Sequence, residues 1–269
     1  MNYPKVSKLF IYPIKSLDPV ELTTAEIGIH SLKHDRTFAM KTSDDRFVNS
    51  KRTGRVNQLK TSYDLEAGII SLGERNSAQS ETFELRTENE KLNAFLSDFF
   101  DLEIHLVQSE KGELQDVPFR SSATVISTAT YQSLLQDFPE HTLEDFRLRF
   151  RANIEIEDIE AFGEEKLLPS PHQGTRFTIG DIELIAMSPR DRCNVPPRNP
   201  LTGETDKTFV KKMIDSRAKS LPKNSIIESM RNTYFLAIHT YLPPTQFGKK
   251  ISVGDELQKG ETIDLSSFE

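Results

Sequence analysis

The sequence predicts a mostly β protein with a few helices, an α+β fold. Its plan is a small N-terminal β-barrel-like unit followed by a C-terminal β-barrel. Three observations carry this. Short apolar or alternating runs dominate the chain and end at Pro, Gly, Asp or Asn. Helical spacing is confined to a few isolated stretches. A polar, weakly patterned stretch at 109–122, "SEKGELQDVPFRSS", divides the chain into units of 1–108 and 109–269.

In the first unit, "VSKLFIYPI", "VELTTAEIGI", "RTFAMKT" and "AGIISLG" read as strands. "ENEKLNAFLSDFF" breaks the pattern, with Leu92, Phe95, Leu96, Phe99 and Phe100 at helical spacing. The second unit opens with a buried strand, "ATVIS". The helix "TATYQSLLQDF" follows, carrying Tyr131, Leu134, Leu135 and Phe138 on one face. Thr142 to Phe146 predicts a short helical turn opened by a Thr142 and Asp145 capping box. "RFRANIEIE" alternates strictly and predicts a strand. Phe150, Ala152, Ile154 and Ile156 share one face, and Arg149, Arg151, Asn153 and Glu155 the other. "RFTIGDIELIAM" predicts a hairpin turning at Gly180-Asp181. "KTFVKKMIDSRA" reads as a helix, and "YFLAIHTYL" and "ISVGDELQ" as closing strands.

The 269 residues suffice for one large domain or two small ones. Net charge is −7, which argues against general nucleic-acid or anionic-membrane binding but leaves room for a local basic pocket. One cysteine excludes an internal disulfide and a four-cysteine cluster. The N-terminal stretch is too short and too broken by Pro13 and Lys15 to read as a signal peptide. No run approaches the roughly 20 apolar residues of a spanning helix. The expected location is cytoplasmic.

The chemistry centres on "PRDRCNVPPRNP", Pro189 to Pro200. It holds the single cysteine, Cys193, among Arg190, Arg192 and Arg198 and between four prolines. A free cysteine is usually a small buried hydrophobe, but these are poor core neighbours. A guanidinium beside a thiol favours the thiolate, the nucleophilic and metal-binding form. None of the six histidines stands in a cysteine-hydrolase or zinc pattern. Lys15 and Ser16 follow a strand that Pro13 ends, and Arg36 opens another. Arg151 and Asn153 give their strand a half-polar face suited to phosphate or carboxylate. Arg75 reads as an ordinary arginine in a polar turn. "GDIELIAMSPRD" has one glycine and so lacks a dinucleotide fingerprint.

Taken in order, "LFIYPIKS", "HDRTFAM", "FRANIEI" and "RCNVPPRNPLTGE" resemble the MOSC family with its N-terminal β-barrel companion domain, over nearly the whole chain. The resemblance implies a pterin dithiolene molybdenum cofactor between the two units. It implies that Cys193 is the catalytic residue and the protein ligand to molybdenum. Lys15, Ser16, Arg36, Ser127, Thr128, Arg151, Asn153 and Arg192 match the family's cofactor-binding positions. The implied reaction is reduction of small N-hydroxylated compounds by oxygen-atom transfer, with electrons from a separate ferredoxin- or flavin-type donor protein. A second reading is a non-catalytic carrier of the cofactor or a sulfur-trafficking module. A third is a structural β protein with an incidental cysteine. The family label extends to pyridoxal phosphate binding. The chain departs from the family pattern at "PRDRC", where many relatives read Cys-Ser-Arg-Cys. It departs again at Asn199-Pro200 for Asp-Pro, and at "FRANI" for "FRPNI".

Overall fold

A computed structural model describes residues 3–117, 121–221, 225–230 and 233–268. The first half contains β1 (Lys5–Ile11), β2 (Val20–Leu22), β3 (Thr24–Glu26), β4 (Phe38–Thr42), β5 (Leu59–Asp64), β6 (Ile69–Glu74), β7 (Glu81–Glu84), α1 (Asn89–Phe100) and β8 (Ile104–Gln108). The second contains β9 (Thr124–Ser127), α2 (Thr128–Leu135), α3 (Leu143–Phe150), β10 (Ile154–Glu157), β11 (Gln173–Ile179) and β12 (Ile182–Asp191). It ends with α4 (Phe209–Ser220), β13 (Phe235–Tyr241), β14 (Lys250–Ser252) and β15 (Leu257–Asp264). The fold is mixed α/β and mostly sheet, as the sequence predicts.

One sheet of eight strands, in the order β15-β11-β12-β13-β9-β10-β1-β2, organises the molecule. It draws on both sides of the polar stretch, because β1 pairs antiparallel with β10. No strand ladder joins its two ends among the described residues. A single bridge, Lys5↔Glu256, and the bonds Val6 N–Asp255 O (2.9 Å) and Gly254 N–Val6 O (2.8 Å) curl it towards closure. Strands β9 and β10 run parallel, so the chain must cross over between them. Helices α2 and α3 make that crossover and bury Tyr131, Phe138, Phe146 and Phe150 against Phe209 of α4. A separate core around Ile14, Phe38, Ile70, Leu92 and Leu96 is drawn from residues 14–104 alone.

The hairpin at Gly180 forms as predicted, with Ile179 opposite Ile182. "RFRANIEIE" does not form one strand. Helix α3 continues through Phe150, Arg151 caps it in the left-handed conformation, and β10 begins only at Ile154. The Thr142 cap is present, its side chain accepting from Asp145 N at 3.1 Å. "ISVGDELQ" is β14, a turn and the start of β15 rather than one strand.

Under α2, Ser127 accepts from Thr130 N at 3.1 Å, and its hydroxyl meets that of Thr130 at 2.7 Å. Thr130 in turn donates to Glu164 at 2.9 Å. Burial, with the charge of Glu165 beside it, pushes Glu164 up to about 7 from 4.5. The folded protein therefore holds this proton more tightly than the unfolded chain. The stability it contributes is full below the unfolded pKa and is lost as pH rises through about 7. Glu164→Gln should raise stability by about 1–3 kcal/mol at pH 8. The gain should fall below about 1 kcal/mol at pH 5 and vanish only below about pH 4, under the unfolded pKa of 4.5, read as the difference in melting temperature from the wild type at each pH.

Candidate functional site

The end of β12 carries the chain into the cysteine loop. That loop closes a cavity of about 150 Å³ against residues 15–16 and 49–51 of the first unit. Lys15, Arg36, Lys51 and Arg149 line it, and so do Arg151, Arg190 and Arg192. Against these seven cations stand two lining carboxylates, Asp116 and Asp191, while Asp35 and Asp145 pair with Arg36 and Arg149 from behind the wall, so cations still outnumber carboxylates. Cys193, partly buried, opens into the same space with Ser16 and His239.

Each cation has a specific mount. Arg36 donates to Asp35 at 2.6 Å, to Asn153 Oδ1 at 3.4 Å and to the Arg151 carbonyl at 3.2 Å. Arg151 donates to the Leu17 carbonyl at 2.8 Å and lies 4.0 Å above the Tyr12 ring, with Arg36 at 4.7 Å from the same ring. Tyr12 is 1% exposed, so two guanidiniums stack on one buried aromatic, where cation–π attraction is strongest. Arg190 donates to Thr124 Oγ1 and to the Arg151 carbonyl, each at 3.3 Å. Burial, then Arg192 and Arg36, hold its pKa below the ordinary guanidinium value.

Arg192 is different. One amino group donates to the Phe150 carbonyl at 2.9 Å, while Nε and Nη1 are buried with no partner. Unpaired guanidinium nitrogens out of water are costly, and an anion in the cavity would relieve them.

Three of the nine described non-glycine residues with positive φ line the cavity. Ser16, Arg36 and Arg151 have φ of 74°, 52° and 53°. Left-handed conformations are uncommon outside glycine and cluster at functional sites.

Two clamps fix the cysteine loop. Arg149, 4% exposed, donates to the carbonyls of Pro196 (2.7 Å) and Arg198 (2.8 Å). Arg198 donates to Ser50 O at 2.7 Å, and Asn194 to Lys51 O at 3.1 Å. Gly54 and Gly203 (φ 79°) let the two loops touch, since a Cβ on Gly203 would sit 2.1 Å from the Gly54 oxygen.

Of the sequence-predicted residues, the cavity gathers Lys15, Ser16, Arg36, Arg151, Arg192 and Cys193. Asn153 does not line it. It is 1% exposed, donates to Phe10 O at 3.1 Å and accepts from Arg36 and Thr124, bracing the wall from behind. Ser127 and Thr128 do not line it either. Ser127 belongs to the Thr130–Glu164 cluster, and Thr128 donates to Glu155 at 2.7 Å, which Arg147 holds. Arg75 is no free-standing surface arginine. It pairs with Asp18 and donates to Asn57 O at 2.7 Å.

The structure adds Lys51, Asp116, Arg190 and His239. Lys51 and His239 carry no distinguishing sequence pattern. Arg190 stands in the quoted cysteine loop, so proximity to Cys193 could have flagged it. Asp116 lies in the stretch read as a linker. Burial would raise its pKa, but Lys15, Arg190, Lys51 and Arg36 hold it well below the usual carboxylate value. His239 meets Ser121 Oγ through Nδ1. Burial, with Arg190 and Arg192 nearby, pushes it down to about 3, so it is neutral. No group of three or more His, Cys, Asp or Glu able to hold a metal ion occurs among the described residues. None of their helices is long and apolar enough to cross a membrane.

The sequence model of the MOSC N-terminal beta barrel domain matches residues 3–110, and that of the MOSC domain matches residues 112–258. The chain belongs to the MOSC family. Human molybdenum cofactor sulfurase is 23% identical over 259 residues, covering 79% of this MOSC chain and 28% of its own length. The Caenorhabditis briggsae molybdenum cofactor sulfurase is 24% identical over 239 residues, covering 80% of this chain and 32% of its own. The chain thus spans about a third or less of these curated relatives. The crystal structure of the YUAD protein from Bacillus subtilis aligns over 96% of both chains at 11% identity, with a TM-score of 0.40.

Proposed function

We propose that this cavity holds the pterin dithiolene molybdenum cofactor, with Cys193 as the thiolate ligand to its metal. In this reading the loaded protein reduces N-hydroxylated compounds, and a separate protein supplies the electrons. The observation that carries it is the cation excess around Cys193, sharpened by the two unpartnered nitrogens of Arg192. Like charges at such spacing repel and are poorly hydrated, so the wall is built for a polyanion. A phosphate joined to an electron-rich dithiolene is such a polyanion. The curated relatives are named molybdenum cofactor sulfurases, which links the family to that cofactor.

When bound, the cofactor would supply two-electron oxygen-atom-transfer chemistry. The chain's own residues do the rest. Lys15, Arg36, Arg151 and Arg192 neutralise the ligand's charge. Asn153 and Thr124 keep two of the guanidiniums aimed. The prolines and Arg149 fix the loop that presents Cys193, so little entropy is lost on ligation. His239, neutral and held through Nδ1 by Ser121, gives the cavity wall an uncharged polar group.

Expression in a host that makes the cofactor, followed by molybdenum analysis and release of the fluorescent oxidised pterin, tests the binding. Consumption of an amidoxime with a reduced viologen tests the chemistry. Loaded protein without turnover would favour a carrier, and absence of molybdenum would remove the reading altogether. Within this test, Arg192→Ala should lower molybdenum content at limiting cofactor by about 10–100-fold, the worth of one or two charged hydrogen bonds. Arg46→Ala, whose side chain is 64% exposed and pairs with Asp44 away from the cavity, should leave it unchanged.

A further inference from the structure

Asp116 stands where the proposed ligand's charge would be needed. Its carboxylate lies 3.1 Å from Lys15 Nζ, 3.3 Å from Lys51 Nζ and 3.6 Å from an Arg190 amino group. These distances are longer than the 2.7–2.9 Å of a committed charged hydrogen bond. Elsewhere in the chain such bonds do close, as at Arg147–Glu155 (2.7 Å) and Arg36–Asp35 (2.6 Å). Asp116 is instead shared loosely among three cations from three separate parts of the chain. Its side chain is 32% exposed, so a path to water is open to it.

The segment carrying it is pinned by the same wall. Lys15 Nζ also donates to Leu114 O at 2.8 Å, and Gln115 donates to the Asp35 backbone at 3.2 Å. Leu114 is 5% exposed. A stretch that composition alone reads as a linker is therefore drawn onto the cavity by the cavity's own cations.

We propose that Asp116 is an internal counterion. It occupies the anion subsite made by Lys15, Lys51 and Arg190, and it leaves when a phosphate-bearing ligand binds there. The inference deepens the reading above, but it needs only an anionic occupant and not the reduction chemistry. Asp116 keeps a cation-rich wall from repelling itself before loading. It also sets a threshold that weakly binding anions fail to cross. A carboxylate that instead contacted the ligand favourably would have the opposite effect on affinity, so the two roles separate cleanly.

The test is calorimetric titration of inorganic phosphate and pyrophosphate into the cofactor-free full chain at low ionic strength. Asp116→Asn keeps the shape and removes the competing charge, so it should bind phosphate about tenfold more tightly than wild type, a modest gain because the site is partly screened. Asp116→Glu restores the charge and should bind like wild type. Equal or weaker phosphate binding by Asp116→Asn would overturn the proposal. A second measurement needs no variant. Saturating phosphate should speed hydrogen exchange of the wild-type amides at 113–117, because Lys15 lets go of Leu114 O and Asp116 together. Slower exchange there would also overturn it. If phosphate behaves as expected and the protein never acquires molybdenum, the counterion stands and the cofactor reading fails. If molybdenum loads and phosphate affinity ignores Asp116, the reverse holds.

Discussion

Cys193→Ser should abolish amidoxime reduction while leaving the fold unchanged. The two side chains are nearly the same size, and Cys193 is only partly buried, so the stability change should stay within about 0.5 kcal/mol. A hydroxyl is a far poorer soft-metal ligand than a thiolate. Loss of contacts merely adjacent to metal ligands costs about 10–100-fold, so loss of the ligand itself should exceed about 100-fold in turnover. Cofactor content should fall much less, because the cation wall is untouched and its bonds reach carbonyls and Asp35 rather than the thiol. Three readouts separate the outcomes: melting temperature, pterin content and viologen-driven turnover. Full turnover in the serine variant would remove Cys193 from the metal. Loss of pterin in proportion to turnover would show that the thiolate, not the cations, supplies the affinity.

The strands and their hairpin were legible because period-two alternation is a local signal. Gly180 marks a turn wherever it stands. Strands β5, β7 and β8 carry no such signal. "LKTSYD" and "ETFE" are mostly polar, and "IHLVQ" follows α1 too closely to stand out. The misreading of "RFRANIEIE" is the instructive one. Apolar residues at 150, 152, 154 and 156 satisfy a strand, but Leu143, Phe146 and Phe150 also satisfy a helix face. The helix wins because Thr142 caps it and Phe146 and Phe150 pack on Tyr131 and Phe138. As a result Arg151 sits at a left-handed helix end rather than on a strand, and that position aims it across Tyr12.

The candidate site was legible where composition is unusual. A lone cysteine among arginines and prolines is such a place. It was illegible where the residue is ordinary in its neighbourhood. Asp116 is one acid in a polar stretch, and Lys51 one cation in "NSKRTG". Only the fold brings them together. Ser127 and Thr128 show the converse. The resemblance points to them by position in a motif, but in this chain their hydroxyls are spent on Thr130 and Glu155.

Arg149→Met should cost more stability than any other change around the cysteine loop. The guanidinium lies 4% exposed and serves four partners. It donates to Asp145 at 2.6 Å and to the carbonyls of Pro196 and Arg198, and it stacks 5.2 Å from the Phe209 ring. Methionine fills the space and keeps the contact with Phe209, so the loss isolates the polar terms. Asp145 keeps only His141 and its backbone cap, and two loop carbonyls lose a charged donor. Asp145 is about a fifth exposed and keeps His141, so the pair's loss costs less than the roughly 3–5 kcal/mol of a fully buried one; with two orphaned carbonyls added, the total should be about 2–4 kcal/mol. Denaturant unfolding should register a loss of that size. Position is the further consequence: Arg149 is the bond between α3 and the segment that presents Cys193. The Cys193 thiol of Arg149→Met should therefore react faster with a maleimide than wild type under conditions where both proteins are folded. Arg149→Lys, which can keep one carbonyl bond but not the fork, should fall between the two. Unchanged thiol reactivity alongside lost stability would confine Arg149 to the core of α3 and α4. Unchanged stability would show that the two carbonyls find water on their own.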